Sequence, residues 1–123
     1  MDFETITFER DGAVAIITLN RPDAANSLNA KMSEELVKVA THCDSNSDIR
    51  AVVFTGAGKM FSAGGDLHSF AAEGDGMAEY MRYATAGLHA AVSRFARMNA
   101  PFLVAVNGLS LIHISEPTRR TPI

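Results

Sequence analysis

The residues best placed to do chemistry lie in one short stretch, Gly56-Ala-Gly58-Lys59-Met-Phe61-Ser62-Ala63-Gly64-Gly65-Asp66. An apolar run ending at Thr55 precedes it and a short helical piece follows it. Small residues at such a junction bring backbone N–H groups close to whatever sits in front of them. The first turn of a helix has no internal acceptors for those groups, and they favour negative charge. Gly64 and Gly65 allow the chain to turn so that the amides face outward, and Asp66 is a suitable N-cap.

Several readings of the stretch compete. A phosphate-binding P-loop requires glycine where Val53 stands and Ser or Thr where Met60 stands, so it fails. A dinucleotide fingerprint requires glycine at Phe61, and only Gly56 and Gly58 of that pattern are present. An oxyanion hole for a carbonyl needs only two well-aimed N–H groups. A plain left-handed turn feeding a helix accounts for the same residues without any ligand.

The elements that must position this loop are legible from periodicity. Phe3–Glu9 alternates, Asp11-Gly12 marks a tight turn, and Ala13–Asn20 is apolar on both faces, together an opening hairpin. Pro22, Asn26 and Ser27 make Arg21–Ser27 a loop. Asn29 can cap a helix from Ala30 to about His42, with Met32, Leu36, Val39, Ala40 and Cys43 on one stripe and Glu34 and Glu35 near its positive end. Ile49–Thr55 reads as a buried strand, Leu67–Ala72 as a short helix, and Met77–Met98 as a longer one. Its stripe is Met77, Tyr80, Met81, Ala84, Leu88, Ala91, Val92, Phe95 and Met98. Pro101 stops that helix, and a buried strand follows from Phe102. Strands alternating with helices predict an α/β fold with parallel pairing and helical crossovers after the hairpin. A parallel sheet needs cover on both faces, and two main helices over four strands are thin cover, as expected for part of a larger layered unit.

At 123 residues there is room for one small domain. The 47% apolar and 20% charged composition is globular. A net charge of −3 argues against a nucleic-acid platform. No apolar run is long enough for a membrane span, and the first residues do not resemble a signal peptide. With Cys43 as the single cysteine no internal disulfide can form, and a reducing cytoplasm is the expected compartment. No His, Cys or carboxylate cluster has metal-ligand spacing. His42 and His89 read as surface or boundary residues. His68 lies next to the loop. Glu73 and Asp75 read as solvated, Cys43 as packed, and Tyr80 and Tyr83 as core or rim. From Leu109 the character changes. Residues 109–123 carry two prolines and two adjacent arginines without a sustained period, and resemble a read-through translation of a sequencing adapter. They are expected to be a non-native or disordered tail behind a partial domain, residues 1–108.

Three segments, "RPDAANSLN", "AVVFTGAGKMFSAGGDL" and "APFLVAVNG", in this order and at these separations, resemble the enoyl-CoA hydratase/isomerase (crotonase) family. The resemblance runs from about residue 3 to Gly108 and covers only the first part of a typical family domain. It implies a spiral of ββα turns, trimers or hexamers of the full-length parent, and action on an acyl-CoA substrate. It implies no permanently bound cofactor, coenzyme A entering as part of the substrate. By the same resemblance Gly65, before the aspartate of the "SAGGD" segment, donates one oxyanion N–H. Ala63 and Gly64 line the adenine and pantetheine path, with Gly65, Asp66 and Leu67 beside them, and Ala24, Ala25 and Asn26 form another CoA-contacting segment. Arg21 and Lys59 are candidates to meet CoA phosphates. After Asn107-Gly108 the sequence departs from the family: Leu109–His113 replace the glycine-rich run that supplies the second donor, and the hydratase glutamates have no counterpart. The expected function is therefore acyl-CoA processing through a stabilised thioester enolate in the parent protein, the chain as written being truncated and inactive alone. Alternatives are a crotonase-fold isomerase, decarboxylase or thioester hydrolase, a non-catalytic CoA-binding or inert fragment, and a nucleotide-binding half-domain.

Overall fold

The computed structural model describes residues 1–107. The apolar and β-branched residues of β1 (Ile6–Asp11) and β2 (Val14–Leu19) build an antiparallel hairpin, with Asp11 opposite Val14 and Gly12 at φ +62° in the turn. β1 starts three residues later than the alternation suggests. The N–H groups of Glu4 and Thr5 bond the Glu35 carboxylate instead of a neighbouring strand. A 3₁₀ turn at Pro22–Ala24 leads to α1 (Ala30–Ser45), capped by the Asn29 side chain, which accepts from the Met32 N–H at 2.9 Å. β3 (Ala51–Gly56) pairs parallel to β2, and β4 (Phe102–Val104) pairs parallel to β3, giving the order β1-β2-β3-β4. Between β3 and β4 come the loop, α2 (Leu67–Ala71), a second 3₁₀ turn at Gly74–Gly76, and α3 (Met77–Arg97).

Register decides which side of the sheet is the core. Ile17 lies opposite both Phe8 and Phe54, so Ile6, Phe8, Ala15, Ile17, Leu19, Val52 and Phe54 share one face. Met32, Leu36, Val39, Ala40 and Cys43 of α1 and Ala91 and Phe95 of α3 are buried in the same cluster. The core therefore lies between the sheet and the two long helices. The predicted α1 stripe is buried throughout. The α3 stripe is buried only at Ala84, Ala91 and Phe95; Met77, Met81 and Val92 are exposed. Ser33 donates to the Ala84 carbonyl at 2.7 Å, and a Cβ on Gly87 would meet Ser33 Oγ at once, so the two helices touch at small residues. The opposite sheet face, with Val14, Ile16, Val53 and Leu103, is not fully buried, and Leu103 is 56% exposed. Cover on both faces is thus not present among the described residues. The expected tail, residues 109–123, lies outside them.

Candidate functional site

Two loops meet at the carboxyl ends of β2 and β3, residues 20–29 and 56–66. They are joined first by Asn26. It is 1% exposed and sits at φ +53°, a left-handed conformation that Asn tolerates better than most residues. Its Oδ1 accepts from the Arg21 N–H at 2.7 Å, and its Nδ2 donates to the carbonyls of Ala57 at 2.7 Å and Met60 at 2.9 Å. Its own N–H donates to the Arg21 carbonyl, and its carbonyl accepts from Ser62 Oγ at 2.8 Å. Every polar group of Asn26 is therefore committed inside the protein. Ala25, also left-handed at φ +53°, accepts from the Ala63 N–H at 2.9 Å.

The second join is a short parallel bridge. The Leu28 N–H donates to the Gly64 carbonyl at 2.6 Å, and its carbonyl accepts from the Asp66 N–H at 2.8 Å. Gly64 turns at φ +92°, as its type suggests, and its N–H donates to Ser62 Oγ at 3.1 Å. Gly65 does not lie in the left-handed region. It needs to be small for another reason: a Cβ there would stand 2.7 Å from Cε2 of Phe70. Gly65 is exposed, and its N–H makes no hydrogen bond among the described residues.

Asp66 closes the loop. Its Oδ1 accepts from the N–H groups of His68 at 3.1 Å and Ser69 at 3.2 Å, the capping role expected for it. Its Oδ2 accepts from Ser69 Oγ at 2.9 Å and forms an ion pair with Arg21 at 2.9 Å. Burial pushes the Asp66 carboxyl up, but the Ser69 N–H, the Arg21 guanidinium and the Ser69 hydroxyl outweigh it and hold it below the usual range. Arg21 is therefore not a free surface cation. Its guanidinium bridges Asp66 and the Ser27 carbonyl, the latter at 2.6 Å. Lys59, His68 and Leu67 are exposed, Leu67 by 77%. Ala24, Ala25 and Ala63 are half-buried. Tyr80 is half-buried and Tyr83 is 55% exposed; Glu73 and Asp75 are exposed.

An apolar cavity of about 670 Å³ opens between α3 and the sheet, lined by residues including Leu28, Met32, Phe61, Leu88 and Val104. None of the eight predicted contact residues lines it. Leu28 connects the two features, because its backbone bridges to either side of Gly65 while its side chain faces the cavity.

One buried polar group has a role that the sequence reading does not give it. The Glu35 carboxylate is buried in α1, where Thr5 Oγ1 donates to it at 2.6 Å and the N–H groups of Glu4 and Thr5 at 2.8 Å each. Burial raises its carboxyl, and the Thr5 hydroxyl with the two N–H groups overcomes that and lowers it. Three residues after Met32 and four before Val39 it borders the inward stripe, and the return of Thr5 is what shows the carboxylate as a clamp. Cys43, packed as expected, has its thiol pushed up to about 11 by burial and is a poor nucleophile. No group of three or more His, Cys, Asp or Glu among the described residues is arranged for a metal ion, and none of their helices is long and apolar enough to cross a membrane.

Comparison with known proteins agrees with this arrangement. A probable enoyl-CoA hydratase of Mycobacterium bovis is 39% identical over 111 residues, which is 90% of this chain and 41% of the relative. A short-chain-enoyl-CoA hydratase of Clostridium acetobutylicum is 32% identical over 112 residues, 90% of this chain and 42% of the relative. Among solved structures, an enoyl-CoA hydratase/isomerase from Mycobacterium paratuberculosis superposes with a TM-score of 0.75 at 37% identity, over 88% of this chain and 43% of that one. The chain thus spans about 41% of the length of curated relatives that it matches. The sheet and its helical crossovers are those of a crotonase fold, covering part of it. Residues 9–111 match the family described as Enoyl-CoA hydratase/isomerase, and the chain belongs to that family.

Proposed function

We propose that the paired loops present the Gly65 N–H to the thioester carbonyl of an acyl-CoA, as one half of an oxyanion hole. The observation that carries this reading is the state of that amide. It is exposed and unbonded among the described residues, while its neighbours on both sides, the Gly64 carbonyl and the Asp66 N–H, are fixed to Leu28. A donor held in advance stabilises developing charge without reorganising. Leu28 places that donor next to an apolar cavity, which suits a ligand with a polar carbonyl and an apolar acyl chain. Ala24, Ala25, Ala63, the Gly64 backbone and exposed Leu67 form the surface toward adenine and pantetheine. Asn26 and Asp66 act by shaping the loops. Membership of a family whose relatives are named enoyl-CoA hydratases supports the substrate class and a hydratase reaction in the whole protein, with isomerase, decarboxylase or thioester hydrolase chemistry as variants.

One observation favours a second reading, CoA binding without turnover. Asp66 is the loop's single carboxylate, and Arg21, Ser69 and the α2 cap hold all of it. It has no lone pair directed to a substrate proton. Thermal denaturation with acetyl-CoA, NAD or ATP, alongside a crotonyl-CoA hydration assay, separates the readings. A ligand that binds only the folded chain raises the midpoint, by about 2.7 kcal/mol at a hundredfold excess over Kd. A rise with acetyl-CoA alone and no hydration selects the binding module. A rise with hydration selects the enzyme. A rise with NAD or ATP but not acetyl-CoA sinks both.

A further inference from the structure

Gly65 is enclosed by a ring of contacts that returns to it. On one side Leu28 holds it through the parallel bridge. Two residues on, the Ala30 N–H, at the start of α1, donates to the Tyr80 hydroxyl of α3 at 2.9 Å. The Tyr80 ring meets Phe70 edge-on, with centroids 5.7 Å apart and an interplanar angle of 66°. Phe70, 6% exposed, then sits where a side chain at residue 65 would be, with Cε2 and Cζ 2.7 and 3.0 Å from such a Cβ. The hydrogen bond does two things. It satisfies an N–H of the first turn of α1, which has no partner within the helix, and it anchors the hydroxyl end of the Tyr80 side chain. The anchored ring then supports Phe70 through the edge-to-face contact.

We propose that Tyr80 and Phe70 are positioning residues for the Gly65 amide, a strut from α3 that packs on residue 65 while Leu28 holds the backbone on either side of it. The strut also explains the glycine: residue 65 is small because Phe70 occupies its side-chain space, not because of its backbone conformation. This inference rests on the reading of Gly65 as the donor to a thioester oxygen. A misplaced donor loses most of its value in such a site, which gives the strut its function.

The test uses the full 123-residue chain labelled with ¹⁵N, comparing wild type, Tyr80→Phe and Tyr80→Leu by amide spectra with and without acetyl-CoA. Tyr80→Phe removes the hydroxyl and leaves both rings, so a change at Gly65 cannot come from a lost ring current. It is expected to shift or broaden the Gly65 resonance, leave Glu4 and Thr5 at the Glu35 clamp in place, and weaken acetyl-CoA binding severalfold. Tyr80→Leu extends both effects. An unmoved Gly65 resonance in both variants, with intact dispersion elsewhere, overturns the strut. If acetyl-CoA leaves the wild-type Gly65 signal alone while both variants move it, the strut stands and the thioester reading falls. A second measurement guards against loss of folding. Gly65→Ala is expected to lower the melting midpoint more in the wild-type background than in Phe70→Ala, and equal decreases would remove Phe70 as the cause of the glycine.

Discussion

Two regions of this small protein are held by opposite means. The paired loops around Asn26 and Asp66 anchor Leu28 and Phe61 in the core, but their shape is set by hydrogen bonds radiating from one buried amide and one buried carboxylate. Where α3 meets β3 and β4, the order is kept by aromatic rings. Phe95 stacks on Phe102 with centroids 4.4 Å apart, and Phe54 lies against Phe102 at 5.7 Å. Hydrogen bonds have directions and fail as a set when their centre is altered. The apolar burial that dominates ring packing has no such direction and yields roughly in proportion to the volume removed. The proposed site, which would aim one backbone N–H, rests on loops held by the directional kind.

The contrast is broken most directly at Asn26. Asn26→Ala strands the Arg21 N–H and the carbonyls of Ala57 and Met60, and unsatisfied buried groups cost about 1–3 kcal/mol each. Some of these regain water, so about 4 kcal/mol is expected from chemical denaturation. Asn26→Asp, of nearly the same shape, should do comparable damage, because it turns an acceptor toward two carbonyls. At the aromatic end, Phe95→Ala is expected to cost about 3 kcal/mol, near the low end for a buried Phe because an apolar cavity already adjoins it. Phe95→Leu should cost only about 1 kcal/mol. A graded response at Asn26, or an abrupt one at Phe95, would overturn the distinction.

The same contrast explains what could be read from the amino-acid order. Strands and helices at the apolar end follow from periodicity, and α2 and α3 begin at the expected Leu67 and Met77. Both expected caps, Asn29 and Asp66, bond as caps, since capping is a local event among residues three apart. The loop contacts are not local. Asn26 reaches Met60 across 34 positions, Arg21 reaches Asp66 across 45, and Ala30 reaches Tyr80 across 50. Such pairs have no spacing to betray them, so Arg21 reads as a free cation until the fold brings Asp66 to it. Glu35 is the same case: helix position marks it as dipole-compatible, and only the return of Thr5 shows it as a clamp. Gly65 stands between the two. Its small size signals a close approach, but that the approaching group is Phe70 is tertiary information.

Asp66 sharpens the comparison through pH. Its folded carboxyl lies below the ordinary value of about 3.9, so in the interval between them the unfolded chain binds the extra proton. Stability therefore rises with pH across that interval. The contribution is fully present above about pH 5 and is lost as pH falls through the folded value. Glu35 adds a loss of the same sign. Asp66→Asn keeps the shape and a capping oxygen but leaves Arg21 without its charge. It is expected to cost about 2 kcal/mol at neutral pH and to flatten the acid limb of a stability–pH curve. The part that remains belongs to Glu35. An acid limb unchanged in Asp66→Asn would show that the carboxylate is not what holds the loops.

The smallest effect on stability is expected where neither kind of order applies. Leu103 points from β4 to the face opposite the helices, beside Val53 in register, and is 56% exposed. Replacing it with Lys removes no contact with the core between sheet and helices, so the melting free energy should change by no more than about 0.5 kcal/mol. Association should change much more. Among the described residues β4 is an edge strand with an apolar outer face, which invites pairing with another chain, and a lysine there opposes it. Sedimentation of wild type and Leu103→Lys at the same concentrations is expected to show less self-association in the variant. A loss of several kcal/mol instead would mean that this face is packed in the folded chain. The open side of the sheet would then be as much a part of the core as Phe95.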